Sequence, residues 1–260
     1  MIHPTAVISG NVQIDPTAEI GPWCVLEGEI RIGPGTRLRN GVSLQGKVTL
    51  GADNLIGAHT VIGGEPHDQQ YVDEATEVVI GDRNHIFEFV TIHRGTSRKQ
   101  GRTVLGNDNF VMAYVHLAHD VVLGHHTRIT SYSGIAGLCT IDDHAVIAGM
   151  VGMQQYVRVG AYSFISGMSG VAQDVLPFSI AYGTDNPTQL RGANLIGMKR
   201  QGFSREDIDT VRRLLACFQG TDKPFSQVLA EAEAGFDTTH PLVRRVLDFA
   251  QAPSVHGITR

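Results

Sequence analysis

Six histidines fall between residues 85 and 126 of this 260-residue chain: His85, His93, His116, His119, His125 and His126. Imidazole titrates nearest neutrality of all side chains, so the cluster points to one of two chemistries, a metal held by several ring nitrogens or proton transfer by one of them. His119 is followed directly by Asp120, a carboxylate able to orient or polarise the ring. On a short strand, however, adjacent side chains point to opposite faces. No serine or cysteine nucleophile motif accompanies the histidines, which favours direct attack of one substrate on another over a covalent enzyme intermediate. Cys24, Cys139 and Cys217 lie far apart and match neither a zinc-ligand spacing nor a secreted disulfide framework, which suits a reducing, cytoplasmic setting.

The elements that must position these residues are legible as a repeat. Aliphatic side chains recur at every sixth position from Ile2 through Ile8, Ile14, Ile20, Leu26 and onward to Ile62. Six residues is not a whole number of helical turns, so a helix would scatter them around its axis. A solenoid of short strands meeting at corners points one such side chain inward per hexad. The pattern resumes at Ile80, Ile86 and Ile92, slips by one residue, and runs from Leu105 to Val171. The two interruptions, roughly 64–79 and 94–104, must project outward and are candidate walls of a cleft. Beyond residue 190 the grammar changes. Phe203, Ser204, Asp207 and Ile208 read as a hydrophobic staple and capping box opening a helix over about 204–218, with shorter helices expected near 225–234 and 241–250. The expected division is a β-helix over 1–190 and a helical domain over 191–260 that covers the open end.

Thirty glycines and only 7% aromatic residues suit many short strands and tight corners. The acidic excess, 26 carboxylates against 21 Lys plus Arg, gives a net charge of -5 and no attraction to nucleic acid or an anionic membrane. Gly-rich phosphate-binding signatures are absent. No apolar run approaches a membrane span, and the N-terminus lacks a basic start followed by an apolar core, so a soluble protein with no integral membrane segment is expected.

Four segments carry more than the generic repeat: IGDRNHIFEFVTIHRGT at 80–96, HLAHD at 116–120, SGVAQDVLPF at 169–178 and MKRQGFSRE at 198–206. As a set they resemble the acyl-carrier-protein-dependent UDP-N-acetylglucosamine O-acyltransferases of lipid A synthesis, over nearly the whole chain. That resemblance implies a left-handed parallel β-helix with three hexads to an 18-residue coil, and a homotrimer with active sites between adjacent prisms. It implies acyl carrier protein bearing a thioester as one partner, UDP-N-acetylglucosamine acylated at its 3-hydroxyl as the other, and neither cofactor nor metal. His119 matches the family's catalytic histidine, in keeping with the need of an attacking alcohol for a base. Gly137 matches an oxyanion-stabilising glycine. With 18-residue coils His119, Gly137 and Gln155 fall in one column, so Gln155 could bond sugar or nucleotide. Asp68 matches a residue near the acceptor sugar, His116 a second pocket histidine, and Asn194 and Arg200 residues of nucleotide-sugar recognition. Gly167 matches the measuring end of the acyl groove, while nearby Phe164 argues for a shorter chain, and the two readings leave chain length open. Arg191, Lys199, Arg200, Arg205, Arg212 and Arg213 form a basic patch suited to an acidic carrier.

The resemblance weakens in the pocket. Gln154 and Leu138 stand where histidines are usual, Gln70 where lysine is common, Gln201 where a second arginine is common, and a longer segment places Asp185 near the acyl groove. Replacing a hydrogen-bonding side chain by an apolar one alters discrimination strongly. Three alternatives therefore stay open: an amide-forming acyltransferase acting on a 3-amino sugar, a non-catalytic binder of nucleotide sugar or carrier, and, because related prisms host zinc-dependent hydration of carbon dioxide, a metal enzyme whose ligand pattern this chain lacks.

Overall fold

An aliphatic side chain can point inward at every sixth position only if the chain turns a corner between hexads. The computed structural model, which describes residues 1–183 and 188–260, has this form. Two-residue strands such as His116–Leu117 and Val122–Leu123 are separated by turns and stack in parallel on the strands 18 residues further on. His116 pairs with Gly134, Gly134 with Gly152, and Gly152 with Gly170. Three faces result. The first runs from Glu19–Ile20 to Phe164–Ile165 and ends on Ser179–Tyr182. The second ends on Gly170–Val171 and the third on Arg158–Val159.

The inward column from Leu26 through Leu44, Ile62, Ile92, Leu117 and Ile135 is completely buried. Ile8 belongs to the same column, and Ile2 to the neighbouring one that continues through Ile20, yet they are 40% and 48% exposed, because no coil lies beneath the first one. At one inner corner Thr36, Asn54, Asn84, Asn109 and Thr127 hydrogen-bond from coil to coil, which pairs polar groups that the interior would otherwise strand.

The corner between the second and third faces decides where function is placed. In the first three coils Val7–Ile14, Val25–Ile32 and Ser43–Leu50 cross it as unbroken strands, bending at Gly10, Gly28 and Gly46. Gly28 has φ +123°, and a Cβ there would lie 2.2 Å from the Gly46 carbonyl oxygen, so only glycine passes. In the next two coils the same corner opens into loops 65–76 and 94–101. Ser43 pairs with Val61, Val61 with Thr91 and Thr91 with His116; the separations of 18, 30 and 25 residues give insertions of 12 and 7. Twelve is two hexads and preserves the aliphatic phase. Seven is a hexad plus one, and produces the one-residue slip visible in the sequence. The following coil closes the corner with His119–Asp120.

Past Ser179–Tyr182 the chain reverses into Gln189–Ala193, which pairs antiparallel with it, and continues as α1 (Leu195–Arg200), α2 (Arg205–Phe218), α3 (Phe225–Gly235) and α4 (Pro241–Gln251). Ser204 and Asp207 make both hydrogen bonds of the capping box that opens α2. The antiparallel strand and α1 were not foreseen, since neither is long enough to show a period. Phe178, Leu190, Leu214, Phe218, Val243 and Val246 build a second core over the last coil. A buried ion pair fastens it: Arg158 Nε donates to Asp174 at 2.7 Å, and the guanidinium lies 4.5 Å from the Phe249 ring centroid. Among the described residues no helix is long and apolar enough to cross a membrane.

Candidate functional site

His119 and Asp120 occupy a turn, not a strand, so the alternation that would have separated them does not apply. Asp120 has φ +58°, a conformation that aspartate tolerates better than most residues and that swings its carboxylate back to His119. Oδ2 accepts from His119 Nδ1 at 2.9 Å. The same carboxylate accepts from the Thr96 N–H at 3.0 Å and from the Thr96 hydroxyl at 2.7 Å, and is 1% exposed. The Asp120 N–H donates to Thr103 Oγ1. A carboxylate in its ionised form only accepts, so in the neutral ring that contact places the proton on Nδ1 and leaves the lone pair on Nε2. Nε2 has no protein partner among the described residues, and His119 lines a groove of about 570 Å³.

The column expected from 18-residue coils is present: Gly137 and Gln155 occupy the corresponding turns of the next two coils. The His119 ring lies against Gly137, where a Cβ would fall 2.5 Å from both Cε1 and Nε2. The Gly137 N–H meets no backbone acceptor among the described residues. The groove floor is Gly134, Gly152 and Gly170, with Ala118, Ala136 and Ala172 beside them and Gln154 in the same row. A Cβ at any of the three floor glycines would meet no atom within 4 Å, so the floor is bare because it lacks side chains, and it is apolar.

On the other side of His119 stand three histidines. His116, whose Nδ1 is 2.7 Å from Thr91 Oγ1, faces His93 and His67, with ring centroids 5.0 and 5.9 Å away. His67 meets His93 edge-on at 4.1 Å. Burial pushes the His116 pKa down, helped by His67 and His119. Burial, with the neighbouring histidines and Arg94, pushes His93 down to about 4. Both are neutral near pH 7. His67, in the first loop, escaped notice in the sequence, although it adjoins Asp68; a loop histidine has no periodicity to mark it.

The depressed pKa of His93 has a measurable consequence. Folding opposes its protonation, so its contribution to stability is complete above the ordinary value of 6.5 and is lost as pH falls from there toward 4. At 1.36 kcal/mol per unit this amounts to at most about 3 kcal/mol. Urea unfolding at about pH 7 and about pH 4.5 should show a smaller pH dependence for His93→Gln than for the parent. Equal slopes would acquit His93.

The two loops flank the column. Arg94 fastens the first: its guanidinium donates to the Gly63 carbonyl and the Tyr71 hydroxyl, both at 2.9 Å. The second runs along the corner from Thr96 on Asp120 to Lys99, whose Nζ lies 5.5 Å from the Tyr156 ring centroid. Asp68 sits in the first loop, paired with Arg98 of the second.

Other candidates lie apart from His119. Gly167 stands on the corner between the first and second faces, its Cβ position 3.1 Å from the Gly149 carbonyl oxygen, against the adjoining coil and not in the groove. Asn194 caps α1 through Gly197 N–H at 3.0 Å and donates to the Tyr162 carbonyl at 2.9 Å, on the corner between the third and first faces. Arg200 is exposed at the end of α1. Within the basic patch Arg212 and Arg213 pair with Asp209. Asp185 lies outside the described residues. Among the described residues no group of three or more His, Cys, Asp or Glu is arranged to hold a metal.

Known proteins resemble this chain in sequence and in fold. Residues 174–259 match the second domain of the UDP N-acetylglucosamine O-acyltransferases, and residues 102–137 match the bacterial transferase hexapeptide family, six repeats. The acyl-[acyl-carrier-protein]–UDP-N-acetylglucosamine O-acyltransferase of Ralstonia nicotianae is 47% identical over 100% of this chain and 98% of its own length. The enzyme of the same name from Paraburkholderia phytofirmans is 42% identical over 100% of this chain and 99% of its own. The crystal structure of UDP-N-acetylglucosamine O-acyltransferase from Moraxella catarrhalis superimposes with a TM-score of 0.94 at 33% identity, covering 100% of this chain and 99% of that one. With its hexad prism, its cap and full-length identity well above the level at which relationship is secure, the chain belongs to the acyl-[acyl-carrier-protein]–UDP-N-acetylglucosamine O-acyltransferase family.

Proposed function

We propose that this chain transfers an acyl group from its thioester on acyl carrier protein to the 3-hydroxyl of UDP-N-acetylglucosamine, the first step of lipid A synthesis, with His119 as general base. The observation that carries this reading is the unpartnered His119 Nε2 in the groove, its ring held by buried Asp120 on one side and Gly137 on the other. The sugar oxygen attacks the thioester carbonyl as its proton passes to Nε2. Negative charge gathers on the former carbonyl oxygen, where the Gly137 N–H is free to donate. The carbon–sulfur bond then breaks, and His119 returns the proton to the departing thiolate. A fixed Nδ1–H tautomer keeps the same nitrogen available for both transfers.

The acyl chain fits the bare strip of Gly134, Gly152 and Gly170. On the acceptor side, Gln155 in the column and His116 beside it line the groove, and Asp68 follows groove-lining His67. Asn194 and Arg200 take part only if a second copy presents them, and a surface for that copy exists. Trp23, Phe89, Tyr114, Tyr132, Met150 and Met168 form an exposed apolar ladder along the corner between the first and second faces, with Tyr114 stacked 5.0 Å from Phe89 and 4.9 Å from Tyr132. Such a strip suits burial between subunits, and we read the active form as a homotrimer with shared sites. The free cysteines fit a cytoplasmic location.

The test is to incubate the purified protein with acyl carrier proteins bearing 3-hydroxyacyl and simple acyl chains, supply UDP-N-acetylglucosamine or its 3-amino analogue, and identify products by mass spectrometry. An O-acylated nucleotide sugar is expected, from a species of trimeric mass. Reaction with the amino analogue alone would move the assignment to amide formation, for which Gln154 in the groove wall and Leu138 beside Gly137 supply the changed contacts. A folded protein yielding neither product would leave a binding role.

A further inference from the structure

A nucleotide-sugar acceptor carries a diphosphate, and a site that holds one calls for a fixed cation. The groove walls around His119 hold none, being histidine, glycine, alanine, glutamine, Met153 and Val171. Arg94 is close by but buried and engaged with Gly63, Tyr71 and, at 3.6 Å, Glu65. Arg98 is placed differently. It reaches from the second loop to the first, where Nη2 donates to the Asp68 carboxylate and Nη1 to the Gln70 side-chain oxygen at 2.5 Å. The other Asp68 oxygen accepts from the Gln70 N–H at 2.9 Å, so the carboxylate is itself held. Asp68 directly follows His67, which lines the groove.

The Arg98 side chain remains 47% exposed, and two of its five N–H groups are in use, so a fork of donors is left for an anion. Its loop is anchored on both sides of this residue, by Thr96 on Asp120 and by Lys99 over Tyr156. The guanidinium is therefore positioned in advance, outside the groove lining and held by Asp68, the residue next to groove-lining His67.

We infer that Arg98 is a diphosphate-binding side chain of the acceptor site, oriented by Asp68 and Gln70. This rests on the nucleotide-sugar reading above, and it gives Asp68 a second task, holding a cation in addition to facing a sugar. A lysine at position 70 would place an ammonium where the Gln70 oxygen now meets the guanidinium, so the charge should be transferable between the loops.

Arg98→Gln and the double variant Arg98→Gln with Gln70→Lys would be compared with the parent for the KM of each substrate, kcat, and competitive inhibition by UDP, with thermal melting as a check of folding. The KM for UDP-N-acetylglucosamine and the inhibition constant of UDP are expected to rise together by about tenfold in Arg98→Gln, the scale of one charge-assisted contact. The KM for acylated carrier protein and kcat should change by less than about twofold, and Gln70→Lys should recover most of the loss. An unchanged UDP inhibition constant would overturn the inference, as would a rise confined to the carrier substrate, which would assign Arg98 to the carrier. Arg98-dependent UDP binding in a parent protein that forms no acylated product would instead sink the functional reading and leave the inference standing.

Discussion

His119→Ala is expected to lower kcat/KM by about a thousandfold while leaving the fold intact, the scale set by loss of a positioned general base. The fold should survive because the group left behind is still satisfied: Asp120 keeps both donations from Thr96, so no unpaired charge is stranded in the interior. Asp120→Asn should be nearly as damaging for another reason. An amide can donate as well as accept, which releases the constraint that keeps the proton on Nδ1. Thr96→Val removes one of the carboxylate's donors and should cost less, with a displaced pH profile. Steady-state rates across pH for the three variants, alongside melting curves, decide the matter. A His119→Ala enzyme retaining more than about a tenth of parental activity would remove His119 from the base role.

Gly137→Ala is the second large effect, and its origin is steric. The backbone at Gly137 is not in the left-handed region, so alanine meets no backbone penalty there. The obstacle is the His119 ring itself, with Cε1 and Nε2 2.5 Å from the new Cβ. Ordinary contact requires roughly 1 Å more, and a displacement of that size at a reacting group costs about a hundredfold in rate. The variant should therefore fold, melt near the parent and turn over poorly. A cycle separates this from a general disturbance. If alanine acts by moving the imidazole, then in a His119→Ala background Gly137→Ala should cost little more, because the displaced group is already gone. Additive losses would instead point to an independent contribution of Gly137, such as distortion of its N–H donor.

The repeat made the prism legible: the side chains from Leu26 to Val171 that recur at six are buried, since a corner-turning chain brings the same position of every hexad inward. The column of His119, Gly137 and Gln155 was legible for the same reason, once a coil length was assumed. The contact between His119 and Asp120 was not, because strand alternation argues against it and only the turn at φ +58° permits it. His67 and Thr96 were likewise hidden. Both lie in insertions, whose course over the surface is set by contacts with distant coils and leaves no periodic mark.

Asn194 and Arg200 show the opposite limit. Their motifs were plain, yet the fold holds Asn194 at Tyr162, on a different corner from His119, so their part in any site depends on a second copy. By itself the sequence determined the prism, its interruptions, the capped helix after Ser204 and the family, because local periodicity and short motifs are written in neighbouring residues. Tertiary structure alone decided that both insertions and His119 share one corner, since that follows from insertions of 12 and 7 residues falling at equivalent points of successive coils. It likewise decided that Arg98 meets Asp68 across 30 positions of chain, a contact between two loops that no local pattern encodes.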